Sequence, residues 1–406
     1  MSSEHAAPEE RWLNRGVLGI GGASLLSDLG YEIPTALLPS FLISTLGAPA
    51  AALGLIEGIA DGLGGAARLA GGALADDPRS RRVTALGGYS VTAVLSALIG
   101  EAGAAWQVGI LRSGAWIARG LRGPARNALL AEMVPASAYG RAYGFERAFD
   151  NLGAIGGPLL GLGLVAAFDV RTAILLSVIP GLLAALSMLT AIRAAPPPVT
   201  RGREPLRLRV RPVLRSRLGP VLGGITALEL GNVAPTLLIL RATDLLGPEH
   251  GHGTAVELGL VLYATYNLAA SSASVPAGQV ADRRGALSVF AAGAAVFVAA
   301  DAGLAFAGPQ LAALAALFVL AGLAKAFAET SEHTLIATFA PEEIRGSAFG
   351  ILAGIQSFGN LAASAVAGAL WTLASPRAAF LYLAAWMLAA VAAAAWSRAV
   401  ATRTTA

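Results

Sequence analysis

Runs of about 20 mostly apolar residues follow one another along nearly the whole chain, and a run of that length is what crosses a hydrocarbon core as a helix. Water is absent there, so each crossing segment must satisfy its own backbone hydrogen bonds, which leaves the α-helix as the expected element. Twelve spans are read, at 17–45, 48–75, 83–101, 106–133, 139–168, 172–193, 218–246, 255–281, 286–307, 310–339, 345–373 and 377–397. Prolines inside them, such as Pro34, Pro158 and Pro235, are compatible with membrane helices, where neighbours take up the freed carbonyls.

Composition agrees. Charged residues make up 13% of the chain and apolar residues 55%, against about a quarter charged in ordinary soluble domains. Cysteine is absent, which excludes a disulfide framework, a thiolate metal site and a thiol nucleophile. The first fifteen residues are polar and mixed in charge, and the apolar run after them is too long for a signal-peptide core, so the first helix is expected to stay in the mature protein. The pI of about 9.7 does not point to nucleic acid, because the basic residues sit in alternate short loops. One side carries Arg11, Arg15, Arg79, Arg81, Arg82, Arg141, Arg283, Arg284, Arg345, Arg398 and Arg403, while the other shows little beyond Arg171 and Arg377. Both termini are therefore expected in the cytoplasm, with the chain in the cell (inner) membrane as a multi-pass protein. The Pro- and Arg-rich stretch 194–217 reads as a cytoplasmic linker lying on anionic headgroups, between an N-terminal bundle over 1–193 and a C-terminal bundle over 218–406.

The halves repeat. An offset of 206 residues places Gly72 on Gly278, Asp76 on Asp282, Pro135 on Pro341, Gly140 on Gly346, Gly144 on Gly350 and Gly153 on Gly359. Near the start of each half the offset is 201, pairing Asp28 with Glu229, Gly30 with Gly231 and Pro34 with Pro235. Six spans separate the copies, so both run the same way through the membrane, as in halves related by an axis along the membrane normal.

On these residues the chain resembles the major facilitator superfamily over nearly its whole length. The family's loop motif after the second span, Gly-x-x-x-Asp-Arg-x-Gly-Arg, stands as GQVADRRG from Gly278 to Gly285, with Asp282 and Arg283 at its centre. The first half keeps Gly72 and Asp76 in GGALADDPRSRR but has Asp77 and Pro78 where the motif continues. Arg112 matches the family's fourth-span arginine, and GAIGGPLLG, with Gly153, Gly157, Pro158 and Gly161, is similar to the fifth-span motif of the proton-coupled antiporter branches. The resemblance implies an all-α fold of twelve transmembrane helices in two pseudo-symmetric six-helix bundles. It also implies that spans one, four, seven and ten line the central cavity. Physically, Asp76 and Asp282 are expected to accept amide N–H groups at a neighbouring helix start and latch the bundles together. The fifth-span glycines allow a close backbone approach.

Charge at mid-membrane costs roughly 2.5–3.5 kcal/mol per group, so each such residue needs a partner, a wet cavity or a function. Asp28, Glu32, Glu229 and Glu329 are the candidates for binding the coupling proton. Arg112, Arg119, Arg122, Arg126, Asn232, Lys325, Glu332 and His333 are candidates for the substrate cavity. The four arginines of span four fall within roughly 80° at 100° per residue and are expected to face one cavity. Lys325, the chain's only lysine, aligns with Arg119 and shares a face with Glu329. Two readings stand: a set of structural ion pairs, since five acidic and five basic groups permit full pairing, or proton binding by the carboxylates with the arginines orienting an anionic or polar solute. Asp61 and Arg68 are read as a structural pair with Glu57 as a further coupling candidate, and Glu146, Arg147 and Asp150 as a salt-bridge network; His250 and His252 are too few for a metal site.

No Gly-Lys-Ser phosphate loop and no metal-spaced cluster is found, so neither an ATP-driven pump nor an enzyme is expected, and no cofactor. The expected function is secondary active transport of a small-molecule substrate by a monomer, coupled to protons, with antiport-type export first and uptake of a polar or anionic solute second. A non-transporting receptor or a channel is the remaining alternative; buried charges between pseudo-symmetric halves suit alternating access better than a continuous pore.

Overall fold

The computed structural model describes residues 12–198 and 207–403; Arg11 and part of the basic linker, including Arg201 and Arg203, lie outside them. Described residues contain helix and no strand. In chain order the helices are α1 (Arg15–Ser40), α2 (Ala50–Ala75), α3 (Pro78–Leu98), α4 (Ala105–Glu132), α5 (Tyr139–Ala167), α6 (Val170–Leu176), α7 (Val178–Ala194), α8 (Val210–Arg215), α9 (Leu218–Gly231), α10 (Pro235–His250), α11 (His252–Arg284), α12 (Ala286–Phe306), α13 (Leu311–Phe339), α14 (Arg345–Leu373) and α15 (Pro376–Arg403).

Eight helical segments are long and apolar enough to cross a membrane: α3, α5, α6 with α7, α9 with α10, α12, α13, α14 and α15. Helices α1, α2, α4 and α11 are just as long but carry more polar residues. Large apolar side chains lie bare on the outside, among them Ile110, Leu162 and Val261, each more than half exposed. Patches of that kind on a polytopic helical protein belong against lipid.

Local sequence sets the helix ends. Asn14 caps α1, its side chain accepting the Gly16 and Val17 amides at 2.9 and 3.0 Å. After Pro39 the α1 ladder loosens into a π turn over Phe41–Thr45. Asp77 and Pro78, the departure from the loop motif, have a structural job: Asp77 caps α3 by accepting the Ser80 amide at 2.8 Å, and Pro78 takes the first helical position. At the matching place in the second half Gly285 ends α11 at φ 86°, a backbone angle that a side chain rarely tolerates.

The seventh predicted span is interrupted. Helix α9 stops at Gly231 and α10 starts at Pro235, whose ring removes an amide donor and bars the preceding residue from helix. The freed groups are taken up by α14: the Ala234 amide donates to Ser364 Oγ at 3.0 Å, and Asn360 donates to the Asn232 carbonyl at 2.9 Å. Helix α5 packs along α1 and α11, and α14 along α2 and α9, so these two long helices tie early and late elements together.

Candidate functional site

Where α5 and α14 begin, each meets a carboxylate from the end of another helix. Asp282 at the end of α11 accepts the Gly140 amide (2.6 Å), the Arg141 amide (3.1 Å) and Arg141 Nε (2.9 Å). Asp76 after α2 accepts the Ser347 amide and hydroxyl, at 2.9 and 2.5 Å. Both are carboxylates on helix N-termini, which the local dipole favours. The glycines of the repeat let this happen: a Cβ on Gly278 would collide with the Gly140 carbonyl, and one on Gly72 would lie 2.7 Å from Gly350 Cα. Arg283 is exposed, so Arg141 takes the ionic contact with Asp282.

A second repeated contact joins an acidic residue to a glycine. A Cβ on Gly153 would lie 2.6 Å from Asp28 Cβ, and one on Gly359 would lie 2.7 Å from Glu229 Cβ. Gly157 stands in the same way against Glu32, and Gly161 against Ile33, so the α5 glycine stripe that includes Pro158 is the seat of α1.

The four arginines of α4 meet a stripe of hydroxyls on α1. Arg112 donates to Thr35 (3.0 Å), Arg119 to the Tyr31 hydroxyl, Arg122 to Ser27 (2.6 Å) and Arg126 to Ser24 (2.9 Å). The α1 residues recur every three or four positions and so share one face. Aromatic rings cover the guanidinium planes: Arg112 stacks 3.4 Å from the Trp116 centroid, Arg119 4.2 Å from Tyr31 and Arg122 3.9 Å from Tyr89. Ion pairs absorb two more charges, Arg112 with Glu57 at 3.0 Å and Arg126 with Glu146 at 2.7 Å. Arg147 pairs with Glu146 (2.7 Å) and Asp150 (3.2 Å) and reaches Glu329 at 3.9 Å.

Between these elements lies a cavity of about 490 Å³. Helix α2 lines it with Gly58, Asp61, Gly62, Gly65 and Arg68, and α4 with Trp116, Arg119 and Gly120. Arg147 enters from α5, Glu229 and Asn232 from the α9 break, and Glu329 from α13. Gln356, Ser357, Phe358, Asn360 and Leu361 of α14 complete the wall. Three guanidiniums and three carboxylates thus face one space, and Arg147 with Glu329 is the one ion pair within 4.0 Å among those six.

Of the residues singled out in the sequence, Asp61, Arg68, Arg119, Arg147, Asn232, Glu229 and Glu329 line this cavity. Arg112, Arg122 and Arg126 share the α4 stripe, but α1 and its neighbours occupy them, so the stripe faces a helix instead of one open cavity. Asp28, 4% exposed, sits against α5, and the half-buried Glu32 one turn further on. Lys325 donates to Asn151 at 2.8 Å and to Asn267 at 3.4 Å, and Glu329 is beyond ion-pair range of it. Glu332 is fully buried, accepting from Gln356 at 2.9 Å with its other oxygen unpartnered among the described residues. His333 is held by the Glu329 carbonyl at 2.8 Å between the Tyr143 and Phe349 rings, a packing position. Asp61 and Arg68 do not pair: nearly two turns separate them, so Asp61 accepts Trp116 Nε1 at 2.7 Å while Arg68 donates across to Ser357 of α14 at 2.6 Å. Described residues hold no group of three or more His, Cys, Asp or Glu that could bind a metal ion.

A polytopic helical protein with a charge-lined cavity, and with carboxylates clamping its long helices, has the architecture of a solute transporter. The chain belongs to the Major Facilitator Superfamily, whose model matches residues 20–239 and 221–405. It is 27% identical over 376 residues to an uncharacterised MFS-type transporter of Methanocaldococcus jannaschii, covering 92% of each chain. Among solved structures it is similar to the human organic anion transporter TETRAN, with TM-score 0.68, 18% identity, and 96% of this chain and 100% of that one covered. It is also similar to the E. coli fucose:proton symporter FucP in the outward conformation, with TM-score 0.71, 17% identity, and 95% and 99% covered. At such identities the two structures bear on the fold alone. The chain is a multi-pass membrane protein and a secondary transporter of this superfamily.

Proposed function

We propose that this transporter couples the movement of a small solute to protons by alternating access, through twelve spans in two six-helix bundles. The eight apolar segments together with α1, α2, α4 and α11 supply the twelve. The bundles are residues 1–193 and 218–406, joined by the basic linker 194–217, with both termini cytoplasmic, in the cell (inner) membrane, acting as a monomer. The observation that carries the reading is the cavity itself: residues of both halves line it, and the Asp76 and Asp282 contacts join the halves at the ends of α2 and α11. On the positive-inside assignment those contacts lie on the cytoplasmic side.

Glu229 is the leading coupling group. It is 2% exposed, borders the cavity at the α9 break, and accepts from the neutral amide of Asn232 at 3.1 Å with no cation within 4.0 Å among the described residues. A buried carboxylate so placed changes protonation state at little structural cost once a solute or water reaches it. Asp28, Glu32 and Glu329 are the secondary candidates, the last tempered by Arg147. The resemblance of GAIGGPLLG to the antiporter branches favours antiport-type export, and the arginines facing the cavity favour uptake of an anionic solute as the second reading. Reconstitution into liposomes with an imposed proton gradient tests the coupling: solute flux should follow the gradient in the wild type and fall at least tenfold in Glu229→Gln. Flux indifferent to the gradient removes proton coupling.

A further inference from the structure

The transport reading leaves the solute open, and two arginines in the cavity narrow it. Arg68 and Arg119 both line the space, and neither guanidinium lies within 4.0 Å of a carboxylate among the described residues. Arg81, Arg112, Arg126, Arg141 and Arg147 all have such a partner. Arg68 donates to Ser357 and Arg119 to Tyr31, both neutral hydroxyls, so most of their ten N–H donors remain for something else.

The two are neighbours because α2 and α4 cross at glycine. A Cβ on Gly120 would strike the Gly64 carbonyl and lie 3.2 Å from the Arg68 amide nitrogen, which puts the residue after Arg119 directly on the backbone of Arg68. The charges that bear on Arg68 are Arg119 and Arg147 against Asp61, and Asp61 is committed to the Trp116 indole. Asp28, Glu32 and Asp150 bear on Arg119, but none of these carboxylates lies within 4.0 Å of either guanidinium, so both forks keep donors for an oxyanion that enters the cavity. Phe358 and Leu361 of α14 also line the cavity, an apolar surface for the rest of the molecule.

We infer that the transported solute is an organic anion, its carboxylate, sulfonate or phosphate gripped between Arg68 and Arg119 and its apolar body laid against Phe358 and Leu361. The inference rests on the transport reading but is separable from it. Planar forks suit a bidentate oxyanion, so Arg68→Lys should bind more weakly than wild type while retaining the charge.

The test uses the purified full-length protein in detergent and its unfolding midpoint with biphenyl-4-carboxylate, biphenyl-4-sulfonate, biphenyl-4-methanol and biphenyl-4-methylamine. The two anions should raise the midpoint in a saturable way, and the alcohol and amine should not. Arg68→Gln should weaken anion binding at least tenfold. Without ligand its midpoint should match or exceed that of wild type, because repulsion from Arg119 and Arg147 is relieved; a structural arginine would lower it. A further arm adds phosphatidylglycerol to the micelles, and stabilisation by that lipid with none by either soluble anion overturns the solute assignment. So does an amine that stabilises as well as the acid, an Arg68→Gln variant that binds the acid undiminished, or a wild type that ignores both anions. The acid-versus-amine comparison stands on unaltered protein whether or not Arg68→Gln folds. Binding of the anions without flux in liposomes would sink the transport reading and leave the site intact; flux of an uncharged solute unaffected by Arg68→Gln would do the reverse.

Discussion

The α1–α4 face and the α9–α13 face occupy matching places in the internal repeat, Asp28 aligning with Glu229 and Arg119 with Lys325, yet they hold charge differently. On the first face each arginine of α4 has a hydroxyl of α1 and, in three of the four cases, an aromatic ring over its plane. On the second, Glu229 and Glu332 find only neutral amides, and the helix carrying Glu229 is broken two residues further on. Most of the first face is saturated, so a change of charge there breaks several bonds at once. On the proposed coupling, the second gains or loses a proton and keeps its contacts. On that reading the duplicated scaffold separates a rigid wall from a responsive one, and of the arginines on α2 and α4, Arg68 and Arg119 are the ones that open on the cavity.

The comparison breaks most visibly at Arg126. Its replacement by alanine strips Glu146 of a partner 2.7 Å away in a fully buried site, and such losses cost about 3–5 kcal/mol. The unfolding midpoint should fall steeply; a small loss would mean that Arg147 alone satisfies Glu146 and that the wall is less rigid than claimed. Glu229→Gln is the counterpart on the other face. It should leave the midpoint unchanged or raised while abolishing gradient-driven flux, and a destabilisation resembling that of Arg126→Ala would erase the contrast.

The latches give an intermediate effect. Asp282→Asn loses acceptor strength for three donors and should favour opening of that end by about 1–3 kcal/mol, with Asp76→Asn smaller because only Ser347 is involved. Protease or alkylation access to the helix ends at Gly140 and Gly346 reads this order directly. At the small end, Gly163→Ala meets nothing within 4 Å and should change stability by no more than about 1 kcal/mol, in the stabilising direction. Gly359→Ala, aimed at Glu229 Cβ, should reduce transport first.

Much of this was legible in the sequence because it depends on spacing within one helix. The repeated Gly72–Asp76 and Gly278–Asp282, the α4 stripe and the Glu146–Arg147–Asp150 network all follow from periodicity and from the high cost of unpaired charge. Partner choice did not follow, because it depends on which helices cross. Arg68 passes over Asp61 for Ser357, 289 positions away, and Lys325 turns from Glu329 toward Asn151. The α2 wall was hidden for another reason: Gly58, Gly62 and Gly65 shape the cavity by lacking side chains, and an absence of side chains gives no chemical signal. The break at Asn232–Ala234 had its sign in Pro235, yet Pro34 at the matching position sits inside an unbroken α1. The difference lies with α14, where Asn360 and Ser364 take up the exposed backbone groups.

The claim beneath all of this is that the cavity opens to one side at a time. The chain has no cysteine, so paired nitroxides on introduced cysteines report cleanly. One pair belongs at exposed Arg79 and Glu343 beside the latches, the other at exposed Gly103 and Ala374 at the far ends of α3 and α14. Pulsed electron resonance in liposomes should show the first distance lengthen and the second shorten together when Asp282→Asn is introduced. Distances that stay fixed, or that grow at both ends at once, would contradict alternating access in this protein.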